Sequence, residues 1–261
     1  MAAPDGYADT YSVKECFQAP KFTPGFKADS IAPNRVLKGI RIWRSVSLEN
    51  RENQLVLNGT NKCEDMGLLE IIKFGVFEKG LHVFSSDDFN DAARTRIDKK
   101  TFKTLLLLND SISMPAFDEK GEPVASGASL KKYLMGNDIK SYLIKEDWIT
   151  NSYSGKTEKY IVGIAPLVYD SKTEKTVPLF WIYYPEWKSL LSAFKAKNVY
   201  THEGINFAEV FAKRLFVSQI SKESNVFDRG IKAYKHGSDT YLESELIKEK
   251  LNNAESDLFQ H

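Results

Sequence analysis

The sequence predicts an α+β fold: an antiparallel β-sheet core with helices packed on it and a helical C-terminal region. Two strongly apolar runs, residues 160–168 and 177–184, are joined by a polar link too short for a crossover helix, so they form a hairpin. Residues 36–48 and 139–149 mix apolar and charged side chains as half-buried strands do. The last quarter repeats apolar residues every three or four positions, which indicates helices.

The chain divides into an extended N-terminal arm, residues 1–35, and a single α+β domain, residues 36–261. The length allows one large or two small domains, and we expect one continuous fold. The arm packs on its own domain or reaches a neighbouring subunit. It is expected to be extended because prolines alternate with aromatic anchors: Pro4, Tyr7, Tyr11, Phe17, Pro20, Phe22, Pro24, Phe26 and Pro33.

The charge balance limits the classes of partner. The chain has 36 Lys and Arg against 35 Asp and Glu, a net charge of +1, so no global charge favours nucleic acid. No apolar run approaches the ~20 residues that span a bilayer, so we expect no membrane span. Residues 1–5 lack the basic and apolar regions of a signal peptide, so an exported form would have lost its signal already.

Cys16 and Cys63 do not form a site signature. They have neither C-x-x-C spacing nor a neighbouring His, so free thiols or one disulfide are expected rather than metal binding or redox catalysis. In an oxidising compartment a bridge between them would pin the arm to the domain. Titration of the unfolded, unreduced protein decides this, because two free thiols exclude the bridge.

The first half of the domain is expected to alternate strands and helices. After the strand over 36–48, Asp65 caps a helix that ends near Gly80, and a short strand follows over 81–84. Residues 86–89 open a short helix, residues 101–108 fit either helix or strand, and residues 109–129 form an insertion or contact loop rich in Ser, Gly and Pro.

The second half is expected to carry the central hairpin and then helices. Pro178 belongs at the start of the returning strand, and residues 186–197 form a helix that leaves the sheet. Asn206 and Glu209 resemble a capping box for a helix that continues through Ile220. Two further helices are predicted, one starting at Asn225 with Asp228 and ending near Gly237, and one starting at Asp239 and running through Leu242, Leu246 and Leu251.

The search for catalytic motifs is mostly negative, and we expect no cofactor or metal. Residues 154–157 (SGKT) end like a phosphate-binding loop, but Thr150 stands where the leading Gly is needed, so a hairpin turn is expected. The two S-x-x-K matches lack the motifs that complete a β-lactamase-like site. The four histidines have no metal-binding spacing, and His82 is expected to be structural.

Charged residues in the strand 139–149 are the main site candidates. Alternation puts Glu146 on the apolar face of Ile144 and Trp148, with Lys145 and Asp147 on the other face, so the two acids cannot flank one glycosidic bond. A buried acid needs a cation, and of Arg41, Arg44 and Arg229 we favour Arg44. The candidate structural or interface residues are Arg44, Lys145, Glu146, Asp147, Trp148, Asp228 and Arg229.

The order of several motifs resembles the GldN/PorN family of Bacteroidetes gliding motility and type IX secretion. The motifs are Trp43-Arg44, residues 139–148 (IKSYLIKEDW), 178–186 (PLFWIYYPE), 222–229 (KESNVFDR), 242–248 (LESELIK) and 257–259 (DLF). The resemblance covers about residues 36–259 and departs from the family pattern after Leu48 and at residues 200–204.

The resemblance implies a non-enzymatic periplasmic subunit beneath the outer membrane. Its implied partners are the lipoprotein GldK/PorK, with which it assembles into large rings, further copies of itself within the ring, and possibly the periplasmic part of GldM/PorM. Two other interpretations stay open. A peptidoglycan-binding or glycan-hydrolysing module would show a cleft with convergent carboxylates, and a small-ligand-binding protein would show one deep apolar pocket.

Overall fold

The computed structural model describes residues 36–58, 66–86, 89, 94–113, 116–117, 123–124, 129–171, 173–197 and 204–257, with the side chains of 108–132 and 252–257 excluded. The predictions for the arm, for Cys16 and Cys63 and for the capping role of Asp65 therefore lie outside the described residues. The predicted α+β class with an antiparallel sheet and a C-terminal helix is confirmed.

The elements follow one another as strands with helices between them. The helices are α1 (Arg51–Leu57), α2 (Leu68–Glu78), α3 (Lys99–Leu105), α4 (Tyr184–Ser192), α5 (Phe207–Lys213) and α6 (Ser238–Asp257). The strands are β1 (Val36–Ser47), β2 (Val83–Phe84), β3 (Arg96–Ile97), β4 (Leu107–Ser113), β5 (Ala116–Phe117), β6 (Pro123–Val124), β7 (Ser129–Tyr133), β8 (Ser141–Asn151), β9 (Thr157–Asp170), β10 (Lys175–Pro178), β11 (Trp181–Tyr183), β12 (Lys195–Ala196), β13 (Ile205–Asn206) and β14 (Gln219–Glu223).

The main sheet has the strand order β14-β1-β8-β9-β11-β2-β3, and β10 also pairs with β9. All of its pairings are antiparallel. The long strands β1, β8 and β9 form its centre, so the predicted strands over 36–48, 139–149 and 160–168 are all present. Strand β1, from the start of the domain, therefore lies between β8, from the middle of the chain, and β14, from near its end.

The β8–β9 hairpin explains the SGKT stretch. The side-chain oxygen of Asn151 accepts the N–H groups of Tyr153 and Ser154, and Gly155 takes a φ of +66°, a conformation that favours glycine. The stretch is a turn, as predicted. The returning strand, in contrast, is split into β10 and β11, and Pro178 is the last residue of β10 rather than the first residue of one continuous strand.

Residues 101–108, for which the sequence left helix and strand open, contain the end of α3 and the start of β4. Other predicted elements between the long strands are wrong or shorter than expected: the predicted loop over 109–129 contains the end of β4 and the paired β5 and β6. At the predicted helix over 86–89, the described residues Ser86 and Phe89 are not helical. The predicted helix over 186–197 ends at Ser192 and is followed by β12.

The C-terminal predictions are partly corrected. The capping box of Asn206 and Glu209 is present, but α5 ends at Arg214, whose φ of 53° and ψ of 46° stop the helix. Ile220 therefore lies in β14, not in that helix. No α-helix starts at Asn225, and that stretch holds a turn and a short 3₁₀ helix (Ile231–Ala233). Helix α6 is present as predicted.

The two faces of the main sheet bury different clusters. The larger core lies on the helical face and contains the most buried aromatic side chains, among them Trp187, Phe180 and Phe211. A second cluster on the same face surrounds Trp148 and packs β1, β14 and α6 together; its buried members are Ile42, Trp148, Ile220, Ile231, Ile247 and Leu251. The opposite face carries a small aromatic cluster: Phe84, Ala165 and Trp181, with Trp43, Phe89, Leu143 and Tyr183 against them.

Candidate functional site

The predicted ion pair between Arg44 and Glu146 is present. The two residues lie on the neighbouring strands β1 and β8, where Ile42 is directly opposite Glu146 and Arg44 is one step along the same face. The Nε of Arg44 donates to Oε2 of Glu146 at 2.9 Å, and both side chains are buried. Alternation along β8 thus placed the acid correctly on the apolar face, between Ile144 and Trp148.

Two further donors complete the environment of Glu146. The Nε of Arg214 donates to Oε1 at 3.1 Å, and the indole Nε1 of Trp148 donates to Oε2 at 2.9 Å. The guanidinium of Arg44 also lies 5.6 Å from the centre of the Trp148 ring. We call Arg44, Glu146, Trp148 and Arg214 the Glu146 bridge. It joins β1, β8 and the residue that ends α5.

The geometry of the Glu146 bridge encloses the carboxylate among its own partners. Glu146 is 0% exposed, and its two oxygens accept three hydrogen bonds from protein donors, two of them charged. A general acid must reach a substrate proton, and this carboxylate is enclosed by its own partners. The arrangement can hold β1, β8 and the end of α5 in fixed positions relative to one another. If any of the three moves, the buried Glu146 loses contact with one of its partners.

The neighbouring charged residues point away from Glu146, as alternation predicts. Asp147 forms a two-pronged pair with Arg41, with Nε to Oδ1 at 2.6 Å and Nη2 to Oδ2 at 2.7 Å, and both side chains are about a quarter exposed. Lys145 is buried on the aromatic face. Its Nζ donates to the carbonyl of Phe89 at 3.1 Å and lies 5.8 and 5.3 Å from the rings of Trp43 and Phe89.

Asp228 and Arg229 lie in a separate turn and take no part in the bridge. The Nζ of Lys222 lies 2.5 Å from Oδ1 of Asp228, and the guanidinium of Arg229 lies 5.0 Å from the ring of Phe227 and 4.9 Å from that of Tyr234. Of the three arginines considered for Glu146, Arg44 is therefore the right one. Arg214, which sequence reasoning missed, takes the second place.

A second buried charge pair was also missed. Lys73 lies 3.1 Å from Glu70 one turn earlier in α2 and donates to the carbonyl of Leu134 at 2.5 Å. Burial raises the pKa of Glu70 and lowers the pKa of Lys73, and the attraction within the pair opposes both shifts. The Tyr142 hydroxyl is fully buried near Glu70, and burial raises its pKa as well. An i, i+3 acid–base pair inside an otherwise apolar helix was the available signal.

His82, which was predicted to be structural, makes two contacts with α4. Its Nδ1 lies 2.7 Å from Oε1 of Glu186 near the start of α4, and its carbonyl accepts the indole N–H of Trp187 at 3.0 Å. In the described ranges, no group of three or more His, Cys, Asp or Glu side chains is arranged to hold a metal ion.

A sequence model of the family described as gliding motility associated protein GldN matches residues 31–260. The chain belongs to the GldN family. This confirms the resemblance found in the order of its motifs, and the matched range includes every described residue of the chain. The GldN description names gliding motility and names no reaction. A search of curated proteins found no match.

Within the GldN match, the family-like motifs coincide with the main structural features. Residues 139–148 carry the Glu146 bridge, residues 178–186 carry β11 with the start of α4, and residues 222–229 carry the turn after β14. Where the structure describes this GldN-family chain, no helix is both long and apolar enough to cross a membrane.

Proposed function

We propose that this protein is a non-enzymatic structural subunit of the type IX secretion and gliding motility machinery of Bacteroidetes. The observation that carries the proposal is the GldN family match over residues 31–260. The enclosed Glu146 supports the non-enzymatic part, because the acid that stood out in the sequence is used entirely by internal partners.

The proposed location is the periplasm, and the proposed partners are those that the family resemblance implies. The subunit assembles with a GldK/PorK-like lipoprotein beneath the outer membrane, associates with further copies of itself into a ring, and lies near the periplasmic part of a GldM/PorM-like protein. Its attachment to the outer membrane is then indirect, through the lipid of the partner.

Co-purification tests this proposal directly. The full chain and the GldK/PorK-like lipoprotein from the same genome are expressed together, extracted in detergent and compared with each protein expressed alone. We expect a large complex containing both proteins, seen as rings by electron microscopy. Separate elution of the two proteins, or a cytoplasmic location of the native chain on cell fractionation, would contradict the proposal.

A variant at Glu146 separates the structural interpretation from an enzymatic one. If the residue is structural, Glu146→Gln lowers stability or ring assembly, and Arg44→Ala does similar damage because it breaks the same bridge. A Glu146→Gln protein that is stable and forms rings but abolishes secretion, with no matching effect of Arg44→Ala, would point to catalysis instead.

A further inference from the structure

The turn after β14 displays two adjacent apolar side chains to solvent. Val226 is 97% exposed and Phe227 is 75% exposed, the highest values among the exposed large apolar residues of the turn and of α6. Single exposed apolar residues are ordinary, but two at the tip of one turn form a compact apolar protrusion. We call Val226 and Phe227 the knob.

The knob stands on a turn that is held in one conformation. The side chain of Asn225 makes four hydrogen bonds within the turn: it donates to the carbonyls of Glu223 and Arg229 at 2.8 Å each and accepts the N–H groups of Phe227 and Arg229 at 3.1 and 3.2 Å. Asp228 has a φ of 49° and is tied to Lys222. A pre-ordered turn loses little conformational entropy when a partner binds it.

Two basic residues belong to the same segment as the knob. The guanidinium of Arg229 lies 5.0 Å from the ring of Phe227 and 4.9 Å from that of Tyr234, and Lys232, three positions further along the chain, is exposed. Neither cation has an ion-pair partner among the residues that the structure describes. The local acids are already used, since Asp228 pairs with Lys222 and Glu223 pairs with Lys250.

Helix α6 carries a second exposed apolar surface, and acidic residues lie beside it. Leu242 and Leu246 are 57% and 59% exposed, while the other side of the helix buries Ser244, Ile247 and Leu251. Asp239 and Glu249 lie on the same exposed side, three positions before Leu242 and three after Leu246. Neither acid has an ion-pair partner in the described part of the chain. We call Asp239, Leu242, Leu246 and Glu249 the α6 stripe.

We propose that the knob of one copy of this chain docks on the α6 stripe of a second copy. The apolar tip matches the two leucines, and the unpaired cations Arg229 and Lys232 match the unpaired acids at the ends of the stripe. A second copy is the occupant that these observations favour, because both complementary surfaces belong to this one sequence. The inference rests on the self-association in the proposed function and assigns residues to it.

The contact joins two different surfaces, and this has a geometric consequence. A contact between unlike patches leaves a free knob at one end of every pair and a free stripe at the other, so it can repeat in one direction. Repetition closes into a ring when the rotation per copy divides a full turn. The same interface therefore serves every neighbouring pair of subunits.

Two variants and their mixture test the proposal on the full chain. Phe227→Asp removes the knob and leaves the stripe, whereas Leu246→Asp removes the stripe and leaves the knob. We expect each variant alone to self-associate about tenfold or more weakly than the unchanged chain, measured by sedimentation velocity. Mixed together they should form a 1:1 dimer and nothing larger, because one intact knob and one intact stripe remain.

Matched controls distinguish loss of this contact from unfolding and from a general effect of adding a charge to the surface. Tyr153→Asp changes an equally exposed aromatic residue in the β8–β9 turn and should associate as the unchanged chain does. Thermal unfolding should be the same for all variants, because every substituted side chain is exposed. The single charge reversals Arg229→Glu and Glu249→Lys should each weaken self-association. Mixing the two variants, or combining both changes in one Arg229→Glu/Glu249→Lys chain, should restore the contact, because opposite charges then face each other again.

Several outcomes overturn the proposal. It fails if Phe227→Asp and Leu246→Asp associate like the unchanged chain, or if their mixture stays monomeric. It fails also if Phe227→Asp leaves self-association intact and loses binding to lipid vesicles, which would assign the knob to a membrane surface. If the unchanged chain still co-purifies with the lipoprotein, these outcomes contradict only the knob contact and leave the proposed function standing. If the unchanged chain does not co-purify with the lipoprotein, the proposed function itself is contradicted.

Discussion

Two neighbouring residues of β8, Lys145 and Glu146, are both charged and both buried, yet they lie on opposite faces of the same sheet. Glu146 faces the helical side, where two arginines and an indole N–H contact its oxygens. Lys145 faces the aromatic side, where its ammonium group donates to the carbonyl of Phe89 and lies close to the rings of Trp43 and Phe89.

The two residues differ in the contacts described for their charged groups, and we expect the two sites to differ in their tolerance to substitution. The Glu146 bridge depends on opposite charges, so removing one partner leaves others uncompensated in a site that is buried at Arg44 and Glu146 and partly buried at Arg214. Lys145 has a long apolar stem and a delocalised contact with rings, so an apolar side chain of similar length keeps most of its packing. We expect substitutions on the two faces to differ accordingly.

The largest effect is expected on the aromatic face from loss of a ring. Trp181 is buried and stacks on Phe89, with ring centres 4.8 Å apart and planes 4° apart. Trp181→Ala should lower the free energy of unfolding by about 3 to 5 kcal/mol through the cavity it leaves. Denaturant unfolding measures this, with the exposed Tyr169→Ala as control, expected within about 0.5 kcal/mol. An unchanged denaturant midpoint for Trp181→Ala would mean that the packing of this side chain contributes little to the stability of the protein.

The next effect is expected on the helical face. Glu146→Gln should lower the free energy of unfolding by about 3 kcal/mol, because the buried Arg44 and the partly buried Arg214 then lose their counter-charge. Arg44→Ala should have a similar effect. The double variant should cost less than the sum by about 0.5 to 3 kcal/mol, and strict additivity would show that the two residues do not act as a pair.

A glycine tests what covers the aromatic face. A Cβ added at Gly163 would lie 2.5 Å from Cε1 of Phe89, too close for any real contact. Gly163→Ala should therefore displace Phe89 and lower the free energy of unfolding by about 1 to 3 kcal/mol. Gly39→Ala on β1 meets nothing within 4 Å and should stay within about 0.5 kcal/mol. Equal effects at both glycines would mean that Phe89 does not pack on the sheet.

The smallest effect is expected from Lys145 itself. Lys145→Met keeps a flexible apolar chain against Trp43 and Phe89 and removes the hydrogen bond to the Phe89 carbonyl, so the change should cost less than Glu146→Gln, about 1 kcal/mol. The direct comparison with Glu146→Gln sharpens the contrast between the faces. A loss at Lys145 as large as that at Glu146 would show that both charges are held by the same kind of interaction.

The sequence predicts what depends on local pattern. Two-residue alternation placed Glu146 on the apolar face, and Arg44 was favoured among three arginines as its cation; the structure adds that the strands of the two residues are neighbours. The hairpin of β8 and β9 and the capping box of α5 were predicted for the same reason, since each depends on a few adjacent residues.

What was missed depends on distant contacts or on single backbone angles. Arg214 is 68 positions from Glu146 and ends α5 without the glycine that usually marks such a stop, so the spacing of apolar residues predicts a helix that continues into β14. In α6 the leucine spacing predicted the helix but not its facing: Leu251 is buried, while Leu242 and Leu246 are exposed. Periodicity gives the turn of a helix, whereas its neighbours decide which side is covered.

The pairing of β14 with β1 has a consequence for how the chain reaches its native state. Strand β1 is made early in synthesis, but its second neighbour is contributed by residues 219–223 near the end. Until that segment is available, one edge of β1 has open N–H and C=O groups, and Glu146 lacks the charge of Arg214. Such a long-range closure slows folding and leaves a strand edge open to pairing with other chains, so a partly made chain needs protection until its last quarter has been synthesised.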